Sequence, residues 1–208
     1  MELFTLFFTS LMVAFSGAMM PGPLLTVTIT ESTHRGMIAG PLLIVGHGLL
    51  EIVLILGLFF GLAPIFKHNT FFLITAFVGS AIMILMAWGM FRSLPTLTIS
   101  TKVTGERKNN LLITGALMSL ANPYWIIWWA TIGLGYTIYA QKFGFIGIAL
   151  FFVGHILGDF IWYSAISTAV SKGKKLFTDK IYRLLIGVCA LFLLAFSVYL
   201  LFMAFAKL

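Results

Sequence analysis

Gly46-His47-Gly48-Leu49-Leu50-Glu51 and Gly154-His155-Ile156-Leu157-Gly158-Asp159 repeat one arrangement, an imidazole and a carboxylate four residues apart inside apolar sequence. Positions four apart share a face of a helix, so each copy presents its acid and its histidine together. A carboxylate deep in an apolar segment costs about 2.5–3.5 kcal/mol on insertion scales and by default marks function. Two such acids, at matching places in the two halves of one chain, point to an internally repeated membrane carrier.

The sequence around the motifs has the composition this requires. Of 208 residues, 61% are hydrophobic and 9% charged, and the mean hydropathy is +1.08. A soluble domain of this size cannot hide so much apolar surface, so the solvent is largely lipid. Six hydrophobic segments are expected at about 3–34, 41–63, 70–92, 110–138, 143–170 and 182–206, each long enough to cross a core of roughly 30 Å as a helix. Residues 1–208 then form a single membrane domain. The first segment lacks the basic flank of a signal peptide, with Glu2 its only flanking charge, and reads as a retained span. Cys189, the single cysteine, has no partner for an intrachain disulfide.

A net charge of +7 could be read as nucleic-acid binding, but its position argues against that. Arg35, Arg92, Lys102, Arg107, Lys108, Lys172, Lys174, Lys175, Lys180 and Arg183 follow segments one, three and five, against Lys67, Lys142 and Lys207 on the other side. The positive-inside bias puts the ten-cation side in the cytoplasm and both termini outside, with the bilayer rather than nucleic acid as partner.

Three spans per unit divide the chain into a first repeat of about 1–92 and a second of about 108–208. An odd number of spans makes the second copy enter the membrane from the opposite side, so the repeats are inverted. The expected fold is all-α and polytopic, about six transmembrane helices in two inverted three-helix repeats. Helices one and four are interrupted, one at Pro21-Gly22-Pro23 and the other at Asn122-Pro123. Broken backbone at membrane depth is tolerated where it lines a cavity or is buried in protein. A half-helix that begins at a break offers free amides to an anion, and one that ends there offers carbonyls to a cation. Pro21, Gly22, Pro23, Asn122, Pro123 and Trp125 are therefore candidate substrate contacts. Glu51, Asp159, His47 and His155 are candidate proton carriers.

Several neighbouring features have two readings. Trp125, Trp128 and Trp129 fall on one helical face, either in an interfacial aromatic belt continued by Tyr136 and Tyr139, or as a wall for an ammonium group to which Trp162 and Tyr163 contribute. Thr26, Thr28 and Thr30 either line a cavity or bond their own helix. Gly57/Gly61 and Gly154/Gly158 have the spacing of close helix contact. Glu31 and Arg35 read as a local ion pair of small weight.

Pro21-Gly22-Pro23, the downstream Gly36 and Gly40, Gly46-His47 and the later Asn122-Pro123 together resemble the LysE/RhtB translocators, over essentially the whole chain. Leu24 and Leu25 stand where many members have an acidic or polar residue. The resemblance implies an exporter of amino acids or similar small metabolites in the prokaryotic plasma membrane, driven by the proton gradient and often dimeric. No cofactor and no enzymatic activity are expected. Nothing resembles an ATP-binding Gly-x-x-x-x-Gly-Lys-[Ser/Thr] loop, so the energy comes from a gradient. Two other uses of the same four residues are a divalent-metal exporter with an N₂O₂ site, or a membrane-embedded metalloenzyme; no His-Glu-x-x-His is present for the latter.

Overall fold

The computed structural model describes residues 1–62, 64–65, 68–97, 109–173 and 178–207. The loop cations Lys67, Lys102, Arg107, Lys108, Lys174 and Lys175, on which part of the orientation argument rests, lie outside the described residues. The protein is an all-α polytopic membrane protein. Its helices are α1 (Glu2–Ala18), α2 (Pro23–Arg35), α3 (Ala39–Gly57), α4 (Asn69–Ser93), α5 (Leu111–Leu120), α6 (Pro123–Trp128), α7 (Leu134–Ala140), α8 (Gly144–Lys172) and α9 (Asp179–Phe205). Large apolar side chains such as Phe4, Val53, Leu85 and Phe202 are exposed, as lipid-facing positions require.

Both expected interruptions are present. Helix α1 stops at Ala18 and α2 starts at Pro23, while α5 stops at Leu120 and α6 starts at Pro123. Proline stands at the first helical position each time, where its missing amide hydrogen costs nothing. The second break is capped, since the Asn122 side chain accepts from the Tyr124 amide at 3.1 Å. The first has Gly22 at its cap and no side-chain hydrogen bond.

Two apolar stretches, Pro23–Gly61 and Pro123–Lys172, exceed what one crossing needs. A glycine divides each: Gly36 at φ 76° precedes α3, and Gly144 at φ 61° opens α8. Side chains with a Cβ seldom adopt that region. The same sequence offset relates Gly36 to Gly144, His47 to His155 and Glu51 to Asp159, so the turn that starts each motif-bearing helix is duplicated along with the motif.

Packing exchanges elements between the halves. Helix α1 runs along α8, with Phe7 and Ser10 against Gly154, then Leu11 and Ala14 against Gly158. Helix α5 and its continuation run along α3, with Gly115 against Leu43, Ser119 against His47 and Trp125 against Glu51. A Cβ on Gly46 or Gly115 would strike the backbone of the facing helix, as small residues at membrane helix contacts allow close approach. Gly154 and Gly158 thus pack as their spacing predicts, whereas Gly61 takes φ 120° and faces open space. Helices α4 and α9 pair with each other, tied by Ser80 Oγ donating to the Ser197 carbonyl at 3.1 Å.

Helices α3 and α8 cross antiparallel at the centre. Leu43 and Ile44 at the start of α3 share one apolar core with Tyr163 late in α8. Ile55 at the end of α3 shares another with Ile148 and Phe151 early in α8. Residues 47–51 and 155–159 fall between these cores, which places the charged groups at mid-bundle.

Candidate functional site

His47, Glu51, His155 and Asp159 come together from α3 and α8, each buried to 6% exposure or less. His47 Nε2 lies 3.0 Å from Glu51 Oε1 and 3.5 Å from Asp159 Oδ2. His155 Nε2 lies 3.2 Å from Glu51 Oε1 and 3.4 Å from Asp159 Oδ2. Both imidazoles therefore turn the same nitrogen toward the same two acids. The two copies of the motif, each legible as a helical pair, form one four-residue cluster because α3 and α8 cross there.

The hydrogen bonds around the cluster set a tautomer. Ser119 Oγ donates its only proton to the Gly115 carbonyl at 2.8 Å. It meets His47 Nδ1 at 2.7 Å with a lone pair, so Nδ1 carries the hydrogen. A neutral His47 would then direct the lone pair of Nε2 at two carboxylates, which is repulsive. A proton is required between them, carried by the imidazole or by one of the carboxyls. Taken together, two carboxylates and two neutral imidazoles carry two negative charges, and burying them uncompensated is expensive. Two added protons neutralise the cluster.

Glu51 is the hub. Its Oε1 accepts from Trp129 Nε1 at 2.8 Å and Trp125 Nε1 at 3.0 Å, while Oε2 has no hydrogen-bond partner among the described residues. Asp159 Oδ2 and His155 Nδ1 are likewise buried without one among them. The two indoles reach Glu51 because residues four apart share a face, and the chain widens into a π-bulge at Trp129–Gly133 just beyond. This corrects the aromatic-belt expectation for Trp128 and Trp129. They are 5% and 0% exposed, because an indole N–H at this depth needs an acceptor: Trp129 finds the Glu51 carboxylate and Trp128 finds Ser16 Oγ at 3.4 Å. Trp128 stacks on His155 with ring centroids 4.7 Å apart. Sequence reasoning missed this bonding of Trp125 and Trp129, and it missed Ser119 altogether; their helical spacing was visible, but not the helix they would face.

The cluster opens into a cavity of about 40 Å³. Gly22 and Leu24 from the first break, Asn122 from the second, and Tyr124, Trp125 and Trp128 line it. The breaks touch there, since a Cβ on Gly22 would come 3.3 Å from Asn122 Nδ2. Pro21, Pro23 and Pro123 are not among the lining residues. Pro23 is fully buried, and Pro123 packs against Gly79. The prolines therefore create the breaks, and their neighbours form the wall. A cavity this size holds a few waters and is far below the roughly 300 Å³ of a small-molecule pocket, so the space is water-sized and not substrate-sized.

Other features resolve locally. Thr26, Thr28 and Thr30 all donate to carbonyls of their own helix. Arg35 bonds Glu31 at 2.9 Å as expected, and also donates to the Asn109 carbonyl at 2.9 Å, so the pair joins the end of α2 to the start of α5.

A family model described as LysE type translocator matches residues 15–204. No curated protein and no solved structure matches the chain.

Proposed function

We propose, since this chain belongs to the LysE type translocator family, that it is a secondary-active exporter of amino acids or similar small metabolites, working as a proton antiporter by alternating access. The family makes it a multi-pass membrane translocator of small molecules. The observation that carries the finer reading is the small cavity where two helix breaks meet a buried cluster whose two acids need protons or another positive charge.

Competition for that charge couples the two fluxes. With the cavity open to the cytoplasm, the ammonium group of a zwitterion approaches Glu51 and Asp159, and the cluster releases protons inward. The substrate carboxylate meets the uncapped start of α2 at Gly22 and Leu24, where free amides and the positive end of the helix dipole lie. Tyr124, Trp125 and Trp128 enclose the substrate's body, and Asn122 completes the polar rim. After reorientation, protons from outside reload the four residues and the substrate leaves. The protonated cluster is neutral and can return through the closed state, whereas the empty, deprotonated one cannot. His47 and His155 pass protons between the acids and the cavity.

The matched breaks, matched glycine turns and antiparallel α3 and α8 support two inverted repeats of about 1–92 and 108–208, in which α1 with α2 and α5 with α6 and α7 serve as interrupted first spans. Rocking one repeat against the other around the fixed cluster would alternate access. The plasma membrane and a homodimer complete the proposal.

The reading is tested in proteoliposomes bearing an imposed pH gradient and a panel of zwitterionic, cationic and anionic amino acids. At least one is expected to move uphill against proton flow. If every amino acid follows only its own gradient, proton antiport is wrong. Orientation is tested separately. After Cys189→Ala, single cysteines at Lys67 and Lys142 should react with an impermeant thiol reagent from outside and one at Lys108 should not. The opposite labelling would reverse the topology.

A further inference from the structure

We propose that the four-residue cluster is a divalent transition-metal site, in which one ion of the zinc class is held by His47, His155, Glu51 and Asp159. The proposal stands on the cluster's geometry and not on the export reading.

A tetrahedral ion with nitrogen and oxygen ligands at about 2.0–2.2 Å keeps adjacent ligand atoms about 3.3–3.5 Å apart. The four histidine-to-acid distances run from 3.0 to 3.5 Å. One ligand atom from each of the four residues falls within 4.8 Å of every other. A bound ion would draw the widest pair inward through side-chain rotation. Three features beyond proximity point to a ligand. Ser119 fixes the hydrogen of His47 on Nδ1 and leaves Nε2 as the donor, the outer contact that metal-binding histidines characteristically have. Glu51 Oε2 and Asp159 Oδ2 are buried oxygens without hydrogen-bond partners among the described residues. The cavity that reaches all four residues is an entry path.

The donor set selects the ion. Two imidazoles and two carboxylates suit zinc, cobalt, nickel or copper, whereas magnesium and calcium take all-oxygen shells. Charge selects it too. The two positive charges of such an ion offset the two carboxylates, which are costly to bury uncompensated. An ion seated there occupies the groups a coupling proton would use.

The experiment is a Co²⁺ titration of the purified, chelator-stripped full chain in detergent, followed by visible absorption. Saturation at one ion per chain is expected, with the intense bands of four-coordinate cobalt. Zn²⁺ should displace the cobalt, and Mg²⁺ and Ca²⁺ should not. Ser119→Ala should weaken binding about 10–100-fold, as loss of an outer-shell partner does. Glu51→Gln and His155→Gln should weaken it further, with His34→Gln and His68→Gln unchanged. The cobalt spectrum of the unaltered chain needs no variant to fold. Absence of saturable binding overturns the proposal, as does cobalt binding without four-coordinate bands or binding indifferent to Glu51→Gln and His155→Gln. The titration contains no gradient and no amino acid, so its failure leaves the export reading intact, and a failed transport assay leaves the metal site intact.

Discussion

Glu51→Gln and Asp159→Asn are each expected to abolish substrate-driven proton movement in proteoliposomes, a fall of about 100-fold or more, the scale of removing a positioned proton-transfer group. Each carboxamide keeps the size of the acid it replaces and much of its hydrogen bonding, but cannot titrate. At position 51 the amide oxygen can still accept from Trp125 and Trp129, so packing around the hub survives. Exchange of substrate for substrate should partly persist, because the start of α2 and the aromatic wall are untouched. His47→Gln and His155→Gln should slow turnover or shift its pH profile rather than stop it, since each leaves one imidazole facing both acids. If both carboxamide variants pump like the parent, the acids are packing groups and the coupling reading fails.

Gly46→Ala and Gly115→Ala are the second pair with large expected effects, on stability rather than chemistry. In each the new methyl would be driven into the backbone of the facing helix, Leu112 in one case and Leu43 in the other. A backbone cannot rotate aside as a side-chain tip can, so α3 and α5 must separate. Overpacking of this kind costs about 1–3 kcal/mol, which lowers the apparent melting temperature by several degrees in a chain of this length. Activity should fall with it, because the same contact holds Ser119 against His47. Gly135→Ala is the control, as a Cβ there meets nothing within 4 Å. Equal melting temperatures for Gly46→Ala and Gly135→Ala would show that the halves are not locked at this contact.

Most of the architecture was legible because it follows from local rules. Apolar length marks membrane segments, and Pro21-Gly22-Pro23 and Asn122-Pro123 break helices wherever they stand, since proline lacks a donor and clashes with the preceding turn. Spacing of four puts His47 with Glu51 and His155 with Asp159 on any helix. The cost of a carboxylate in lipid singled out both acids without reference to neighbours.

Which groups meet across helices depended on packing. Read along the chain there are two separate His/acid pairs; the antiparallel crossing of α3 and α8 made them one cluster with shared oxygens. Trp129 could be read along the chain as a lipid-interface residue, and its burial depended on finding Glu51 on another helix to accept its N–H. Ser119 carried no signal, because a serine in an apolar helix is ordinary until its hydroxyl lies 2.7 Å from an imidazole. The prolines misled in the other direction: a break is dictated locally, but which residues around it face the cavity depends on rotation about the helix axis. That rotation is set by glycine contacts such as Gly46 on Leu112 and Gly154 on Phe7, made between residues far apart in the chain.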